Sequence, residues 1–194
     1  MKTLSKITMI IIFSIFSQVS YSQWKSINPQ PCSSQLNTVW MLDENNIIAG
    51  GAGGAIFKST NGGTAWNMVQ SNTGNDIYCI YFFDSKNGWA SGENGEILYT
   101  ADGGTSWNKQ ASGELEGLNG ISFASSTVGI IVGSEGTVLK TSDGGNSWER
   151  KTISTTEILF DVDFLDANNV VLVGYAGKIF KSVNAGNSWS VRTS

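Results

Sequence analysis

The sequence predicts an all-β fold made of repeated four-stranded sheets, and three observations lead to this prediction. The phrase Thr141–Trp148 (TSDGGNSW) recurs with small changes at three other places in the 194-residue chain. Its tryptophans, Trp66, Trp107, Trp148 and Trp189, follow one another at intervals of 41 residues. The chain is rich in Gly (23 residues), poor in Pro (2 residues) and 40% hydrophobic. This composition is typical of a folded protein with many turns.

The repeat divides the chain into units at 36–76, 77–117, 118–158 and 159–194, without insertion or deletion between them. A period of this length with four short antiparallel strands is the pattern of a propeller blade. We therefore predict a β-propeller of four-stranded blades with about four blades present. A larger ring, with seven blades as one option, is the expected context, because an open arc leaves two blade faces uncovered.

Each unit contains the same segments in the same order. The first strand alternates apolar and polar residues, which indicates one buried face. A polar turn, a short apolar strand, a glycine-bearing turn and a third strand follow, and the repeated phrase then leads to a fourth strand that opens at Trp. In the first unit these segments are Leu36 to Met41, Asp43 to Asn46, Ile47 to Gly50, Gly51 to Gly54, Ala55 to Lys58 and Ser59 to Trp66.

The first 22 residues read as an export signal. Lys2 and Lys6 precede an apolar run from Ile7 to Phe16, which is short for a membrane span, and small residues stand at the expected cleavage site. The mature protein is then periplasmic, extracellular or on the cell surface. It has no transmembrane segment after removal of the signal. Residues 23–35 form an N-terminal strand and a linker that contains both prolines.

Charge and composition exclude several classes of function. Removing Lys2 and Lys6 leaves 10 bases against 16 acids, a formal charge of −6, which disfavours nucleic acid. The chain has no His, so His-dependent nucleophiles, His bases and His-ligated zinc are absent. Two cysteines, Cys32 and Cys79, allow either a disulfide or a buried thiol. We expect no cofactor and no metal.

The repeated phrase reads as a tight turn. Its Asp or Asn accepts hydrogen bonds from nearby amides, its glycines allow positive φ, and its Trp returns the chain to the interior. One carboxylate per turn cannot supply the six or more oxygens that calcium requires. The expected structural residues are Ser59, Asn61, Gly63 and Trp66; Thr100, Asp102, Gly104 and Trp107; Thr141, Asp143, Gly145 and Trp148; and Ser182, Asn184, Gly186 and Trp189.

These turns match the Asp-box, or BNR repeat, and the phrase Gly92–Thr100 (GENGEILYT) that precedes one box resembles the photosystem II stability/assembly factor family. The resemblance implies a seven-bladed propeller that binds membrane-protein intermediates and performs no chemistry. It also implies an arginine-rich binding surface, whereas this chain has only Arg150 and Arg192. The expected function is a non-enzymatic binding or assembly scaffold with a protein partner.

Two enzyme classes also contain Asp-boxes. A sialidase needs three arginines around the substrate carboxylate, and two cannot supply them. A glycoside hydrolase needs two carboxylates roughly 5–9 Å apart at one mouth of the channel. Asp161 and Asp163, which share a face of a first strand, are the weak catalytic candidates. The alternative interpretation is that both are solvated or hydrogen-bonded polar residues of one blade, without a catalytic role.

A binding site is expected where the repeats differ, because loops tolerate variation. These places are the connections between units, Gln70 to Asp76, Ala111 to Gly117 and Thr152 to Glu157. Asp76, Glu114, Glu116 and Glu157 would make them acidic, and Trp40 and Tyr81 either stack on a ligand or pack between blades. A glycan is the alternative ligand. Self-association and a longer secreted or cell-surface chain, in which these repeats are structural, remain open.

Overall fold

The computed structural model describes residues 34–192. Within this range, sixteen strands form four antiparallel sheets of four strands each, which confirms the predicted all-β fold of four-stranded blades. In each sheet, strands that are consecutive in sequence pair with one another, so every blade is a simple meander. The predicted export signal, the N-terminal strand and linker up to residue 33, and Cys32 lie outside the described residues.

The strands of the four blades begin and end at nearly equivalent positions of the 41-residue repeat. Blade 1 contains β1 Leu36–Met41, β2 Ile47–Gly51, β3 Ile56–Ser59 and β4 Asn67–Val69. Blade 2 contains β5 Ile77–Phe82, β6 Gly88–Gly92, β7 Ile97–Thr100 and β8 Asn108–Gln110. Blade 3 contains β9 Leu118–Phe123, β10 Gly129–Gly133, β11 Val138–Thr141 and β12 Glu149–Arg150. Blade 4 contains β13 Leu159–Phe164, β14 Val170–Gly174, β15 Ile179–Ser182 and β16 Ser190–Arg192.

Two local details differ from the sequence prediction. The box Trp lies one residue before the fourth strand, because it still belongs to the turn whose amides are bonded inside the box. The turn between the second and third strands is a one-turn 3-10 helix in three blades, at Ala52–Gly54, Glu93–Gly95 and Tyr175–Gly177. Its middle residue has positive φ, which Gly53 adopts without strain.

Adjacent blades pack face to face and meet along their first strands. We call the face that contacts the following blade the leading face, and the opposite one the trailing face. Three apolar clusters fill the three interfaces. Between blades 1 and 2, for example, Ile48 and Ile56 of the leading face pack with Ile80, Phe82 and Trp107 of the trailing face. The core is therefore a series of layers between blades.

The antiparallel meander places the connections at two opposite ends of every blade. The Asp-box end carries the boxes and the turns between first and second strands. The linker end carries the connections between blades, at 70–76, 111–117 and 152–158, and the turns between second and third strands. No helix among the described residues is long and apolar enough to cross a membrane.

Candidate functional site

The Asp-box end is made of turns whose polar groups bind one another. In blade 3, the Thr141 hydroxyl donates to Asp143 Oδ1 at 2.8 Å and accepts from Gly145 N at 2.8 Å. Asp143 Oδ1 accepts from Ser147 N, and Oδ2 accepts from the Ser147 hydroxyl at 2.6 Å. Both carboxylate oxygens are thus occupied within the turn, which leaves it poorly suited to a ligand.

Boxes that contain Asn use the same geometry. Asn61 Oδ1 accepts from Ala65 N at 2.8 Å, and Asn184 Oδ1 accepts from Ser188 N at 3.0 Å. The side-chain oxygen is therefore the essential group, and the charge adds to it. Each box also donates a backbone amide to the neighbouring turn of its blade, as Gly103 N does to Lys86 O at 2.9 Å and Ala185 N to Asn168 O at 2.8 Å.

The electrostatics of the box acids follow from these hydrogen bonds. Partial desolvation acts to raise the pKa of Asp102, but the hydrogen bonds from Ser106, Thr100 and Thr105 outweigh it and lower this pKa to about 2. The side chain of Ser147, its amide and Thr141 likewise lower the pKa of Asp143. A carboxylate held in its charged form in this way is a poor proton donor or acceptor near neutral pH.

The box tryptophans pack between blades to different degrees. Trp107 is buried and meets Phe82 edge to face at 6.0 Å, while Trp66, Trp148 and Trp189 are half-buried. The indole N–H of Trp66 donates to Gly63 O at 3.0 Å. Within residues 34–192, the indole N–H groups of the other three box tryptophans have no hydrogen-bond partner. Their role is thus apolar packing.

At the linker end, each connection is hydrogen-bonded to the turns of both blades that it joins. Glu93 N donates to Asp76 O at 2.9 Å, and Gly95 N donates to Glu116 O at 2.9 Å. The next connection repeats the second bond, from Gly136 N to Glu157 O at 3.0 Å. Connections and turns therefore form one continuous surface, the linker-end surface, which consists of residues 52–54, 70–76, 93–95, 111–117, 134–136, 152–158 and 175–177.

A buried carboxylate, Glu96, holds the first connection. Its Oε2 accepts from the Thr73 hydroxyl and the Asn75 amide, both at 2.8 Å, and from Lys109 Nζ at 3.1 Å. Glu96 was not among the residues predicted from the sequence. The signal that could have found it is an acid at a position where the other blades have Ala55, Thr137 and Lys178. In blade 4 the relation is reversed, since Lys178 Nζ donates to Thr155 at 2.8 Å.

The linker-end surface combines carboxylates with exposed apolar side chains. Glu116, Glu135 and Glu157 are exposed, whereas Glu114 is paired with Arg150. Burial, followed by the nearby charges of Glu93 and Asp76, raises the pKa of Tyr78. Exposed apolar side chains on or beside this surface are Leu115, Ile158, Phe160 and Tyr175. The predicted acidic connections thus lie together with aromatic groups, which suits contact with a polypeptide.

Asp161 and Asp163 lie in β13, on the leading face of blade 4. Asp163 Oδ1 accepts from the Ser122 hydroxyl at 3.2 Å, and Asp161 Oδ1 accepts from Val162 N at 2.9 Å. Both side chains are exposed, beside a shallow depression of about 130 Å³ that Val171 and Val173 also line. Ser122 and Gly120 hold the equivalent places in blade 3, where they face blade 4. The pair therefore occupies positions whose equivalents in blade 3 face the next blade.

The other singled-out side chains pack between blades. The rings of Trp40 and Tyr81 lie 5.1 Å apart, and the Tyr81 hydroxyl donates to Phe123 O at 3.2 Å. Cys79 of β5 is a free thiol that packs against the apolar cluster between blades 2 and 3, and burial raises its pKa to about 11. In the part of the chain that the structure describes, no group of three or more acidic or Cys side chains is arranged to hold a metal ion.

Comparison with known proteins identifies a family whose model matches this chain. The family model described as photosynthesis system II assembly factor YCF48 matches residues 8–99 and again residues 63–154. No curated protein matches the chain at a significant level. Among solved structures, YCF48 bound to D1 peptide is similar at 25% identity and a TM-score of 0.55, over 60% of this chain and 39% of that chain.

Two further structures are similar in fold. YCF48 from Cyanidioschyzon merolae has 19% identity and a TM-score of 0.65, over 86% of this chain and 59% of that chain. An ancestral GH74 enzyme has 19% identity and a TM-score of 0.72, over 90% of this chain and 26% of that chain. At these identities the likeness establishes the propeller fold alone. The chain spans less than two thirds of the length of each of these structures.

Proposed function

The chain belongs to the family of the photosynthesis system II assembly factor YCF48, and we propose from this membership that it is a scaffold that binds a segment of another protein. The observation that carries the proposal is the family match, which extends from residue 8 to residue 154. The similar structure of YCF48 in complex with a D1 peptide supports a polypeptide as the ligand class.

The proposed binding site is the linker-end surface. At the Asp-box end the polar side chains of the boxes are bonded within their own turns, so few are free to contact a partner. At the linker end, by contrast, the connections differ in sequence and present exposed carboxylates beside Leu115, Phe160 and Tyr175. A polypeptide contacts such a surface through aromatic packing and hydrogen bonds, while the blade cores keep the surface rigid.

The negative charge of the linker-end surface favours a partner segment of a particular charge. Glu116, Glu135 and Glu157 are exposed there, and the formal charge of the whole chain is −4. Opposite charges attract and like charges repel across an interface, so a basic or neutral segment is favoured over an acidic one. The same charge disfavours nucleic acid as a partner.

The test is fluorescence anisotropy with three labelled peptides that differ only in net charge, together with the D1 peptide. We expect the basic peptide to bind most tightly and to weaken with salt. Glu116→Gln combined with Glu157→Gln lowers its affinity about tenfold by removing two charges near the ligand. The matched control, Glu44→Gln with Glu149→Gln, removes two exposed charges elsewhere and leaves the affinity unchanged. If the two double variants lower the peptide affinity equally, the linker-end surface is not the binding site.

The proposal includes two statements about the whole protein. The first is export, which rests on residues 1–22; N-terminal sequencing of the protein recovered outside the cytoplasm tests it, with a start near Gln23 as the expected result. The second is the absence of catalysis. Wild-type protein and Asp163→Asn are expected to be equally inert toward xyloglucan and a panel of other polysaccharides, and turnover that Asp163→Asn abolishes would favour the hydrolase alternative.

A further inference from the structure

We propose that the side chains of Asn75 and Lys109 join in an isopeptide bond, in a reaction that the buried carboxylate of Glu96 assists. Asn75 lies in the connection that enters blade 2, and Lys109 lies in β8, the last strand of that blade. The bond fastens the connection to the blade that follows it. The inference is independent of the proposed peptide binding.

The carboxylate of Glu96 is used on one side only. Its side chain is 0% exposed, and its Oε2 accepts from Asn75 Nδ2 at 2.8 Å and from Lys109 Nζ at 3.1 Å. Its Oε1 is also buried, but it has no hydrogen-bond partner within residues 34–192. Buried polar atoms are generally paired, so a carboxylate that served only to hold the connection would bond both oxygens. The unpaired oxygen is a reason to ask what chemistry Glu96 can perform.

The carboxamide of Asn75 is held in the orientation that an electrophile requires. Its Nδ2 donates to Glu96 Oε2, while its Oδ1 accepts from Asn94 Nδ2 at 3.0 Å. A donor therefore lies at the oxygen on which negative charge develops when a nucleophile adds to the carbonyl carbon. The nitrogen that must leave contacts a carboxylate that can give it a proton.

The amine of Lys109 is the nucleophile. Its Nζ and the Nδ2 of Asn75 contact the same oxygen of Glu96, so the attacking and the leaving nitrogen atoms are held beside one base. Holding the reacting groups together in this way removes much of the entropic cost of the reaction. The Lys109 side chain is 65% exposed, which gives the released ammonia a path to solvent. Because the reaction occurs once in each molecule, it does not need a high rate.

The reaction balances without a cofactor or an oxidant. Glu96 accepts a proton from the Lys109 ammonium, and the neutral Nζ attacks Cγ of Asn75. The negative charge that forms on Oδ1 lies against Asn94. Glu96 then gives its proton to Nδ2, the bond between Cγ and Nδ2 breaks, and the second proton of Nζ leaves with the ammonia. The products are a secondary amide between the two side chains and an ammonium ion, and Glu96 is again a carboxylate.

Blade 3 shows what the same place looks like without this chemistry. One repeat further along the chain, Thr137, Arg150 and Glu116 stand in the positions of Glu96, Lys109 and Asn75. Arg150 forms an ion pair with Glu114 of the connection. A guanidinium keeps its proton and a glutamate carboxylate has no amine to lose, so this arrangement stays non-covalent. The amine, the carboxamide and the buried base therefore meet at blade 2 and not at blade 3.

The bond closes a loop that begins at Asn75, passes through β5, β6 and β7, and ends at Lys109 in β8. A covalent link of this kind restricts the unfolded chain, as a disulfide does, and so stabilises the folded state. It also keeps this part of the linker-end surface on a fixed path. Lys109→Arg retains a positive charge beside Glu96 but cannot form the bond, and it is expected to melt several degrees below the wild type.

The first experiment measures the intact mass of the purified full chain by electrospray mass spectrometry after prolonged incubation. The wild type is expected to fall below its sequence mass, less any processed leader, by the mass of one ammonia molecule. Lys109→Arg, Asn75→Ala and Glu96→Gln each keep their full sequence mass, and circular dichroism shows whether they are folded. The control Lys58→Arg changes a lysine whose Nζ donates to Thr105 instead, and it loses ammonia as the wild type does.

The second experiment locates the bond, because an asparagine that cyclises on its own backbone also releases ammonia. Trypsin does not cleave after an acylated lysine, so a digest of the wild type is expected to contain peptide 59–86 joined to peptide 87–140. Lys109→Arg gives 59–86 and 87–109 as separate peptides.

A folded wild type that keeps its full sequence mass overturns the proposal, and so does a loss of ammonia without the joined peptide. A joined peptide that persists in Lys109→Arg or Asn75→Ala overturns the pairing of these two residues. A joined peptide that forms equally in folded Glu96→Gln overturns the role of the buried carboxylate.

Discussion

At the Asp-box end of each blade, an eight-residue turn binds its own amides through one hydroxyl and one carboxylate or amide oxygen, and the four copies are nearly superimposable in their hydrogen bonds. At the linker end, the connections repeat backbone hydrogen bonds to the adjacent turns, but their side-chain contacts differ from blade to blade, such as Glu96 with Thr73 and Lys178 with Thr155. Self-contained turns are free to repeat, whereas connections that touch a neighbour vary with it. The first end therefore serves the fold, and the second is available for recognition.

The largest expected effect is at the Asp-box end. Trp107→Ala removes a buried indole that packs between blades 1 and 2, and lowers the free energy of unfolding by about 3–5 kcal/mol. Leu115→Ala, at the exposed tip of a connection, changes it by less than about 0.5 kcal/mol. Urea denaturation followed by circular dichroism measures both. Similar losses for the two variants would contradict the division of roles between the two ends.

The second prediction concerns a linker-end position that is structural. A Cβ on Gly92 would lie 1.9 Å from Asp76 O, so Gly92→Ala displaces the backbone of the first connection and costs about 1–3 kcal/mol. Gly74 lies in the same connection with nothing within 4 Å of the position of its Cβ, so Gly74→Ala is the matched control. It leaves stability unchanged or raises it slightly, since it restricts the unfolded chain. Thermal melts of both variants show whether the connection has a fixed path.

The third prediction separates the oxygen of the box from its charge. Asp143→Ala removes the acceptor of the Ser147 and Thr141 bonds and destabilises the protein by about 1 kcal/mol. Asp143→Asn costs less, because Asn61 and Asn184 show that an amide oxygen forms the same turn. If Asp143→Asn lowers the free energy of unfolding as much as Asp143→Ala does, the negative charge, and not the acceptor oxygen, is what stabilises the box. Urea midpoints at constant slope are the measurement.

The smallest expected effect is a pH dependence. The pKa of Asp102 is lowered to about 2 in the folded protein, from its ordinary value of 3.8. A lowered folded-state pKa stabilises the native state above the unfolded pKa, and this contribution disappears as the pH falls from about 4 toward 2. Asp102→Asn should therefore narrow the difference in melting temperature between pH 5 and pH 2.5. Glu44→Gln, at an exposed turn position, should leave that difference unchanged.

Much of the fold was predictable because its determinants are local. A box encloses its hydrogen bonds within eight residues, and the alternation of apolar residues in β1, β5, β9 and β13 reports a buried face without knowledge of the partner strand. Trp107 was expected to be buried on this basis, and it is. Glu96 was not anticipated, because its donors Thr73 and Asn75 lie more than twenty residues earlier and approach only when the connection folds over blade 2.

The sequence by itself determined the blade, its period and the turn that closes it, since these depend on contacts between residues that are near one another along the chain. Only the tertiary structure located Asp161 and Asp163. Their spacing alone is compatible with a catalytic pair, whereas the structure places them at positions whose equivalents Thr38, Gly120 and Ser122 face the next blade. That assignment depends on residues a full repeat away, brought together by stacking of sheets, which is the physical reason that a local pattern could not supply it.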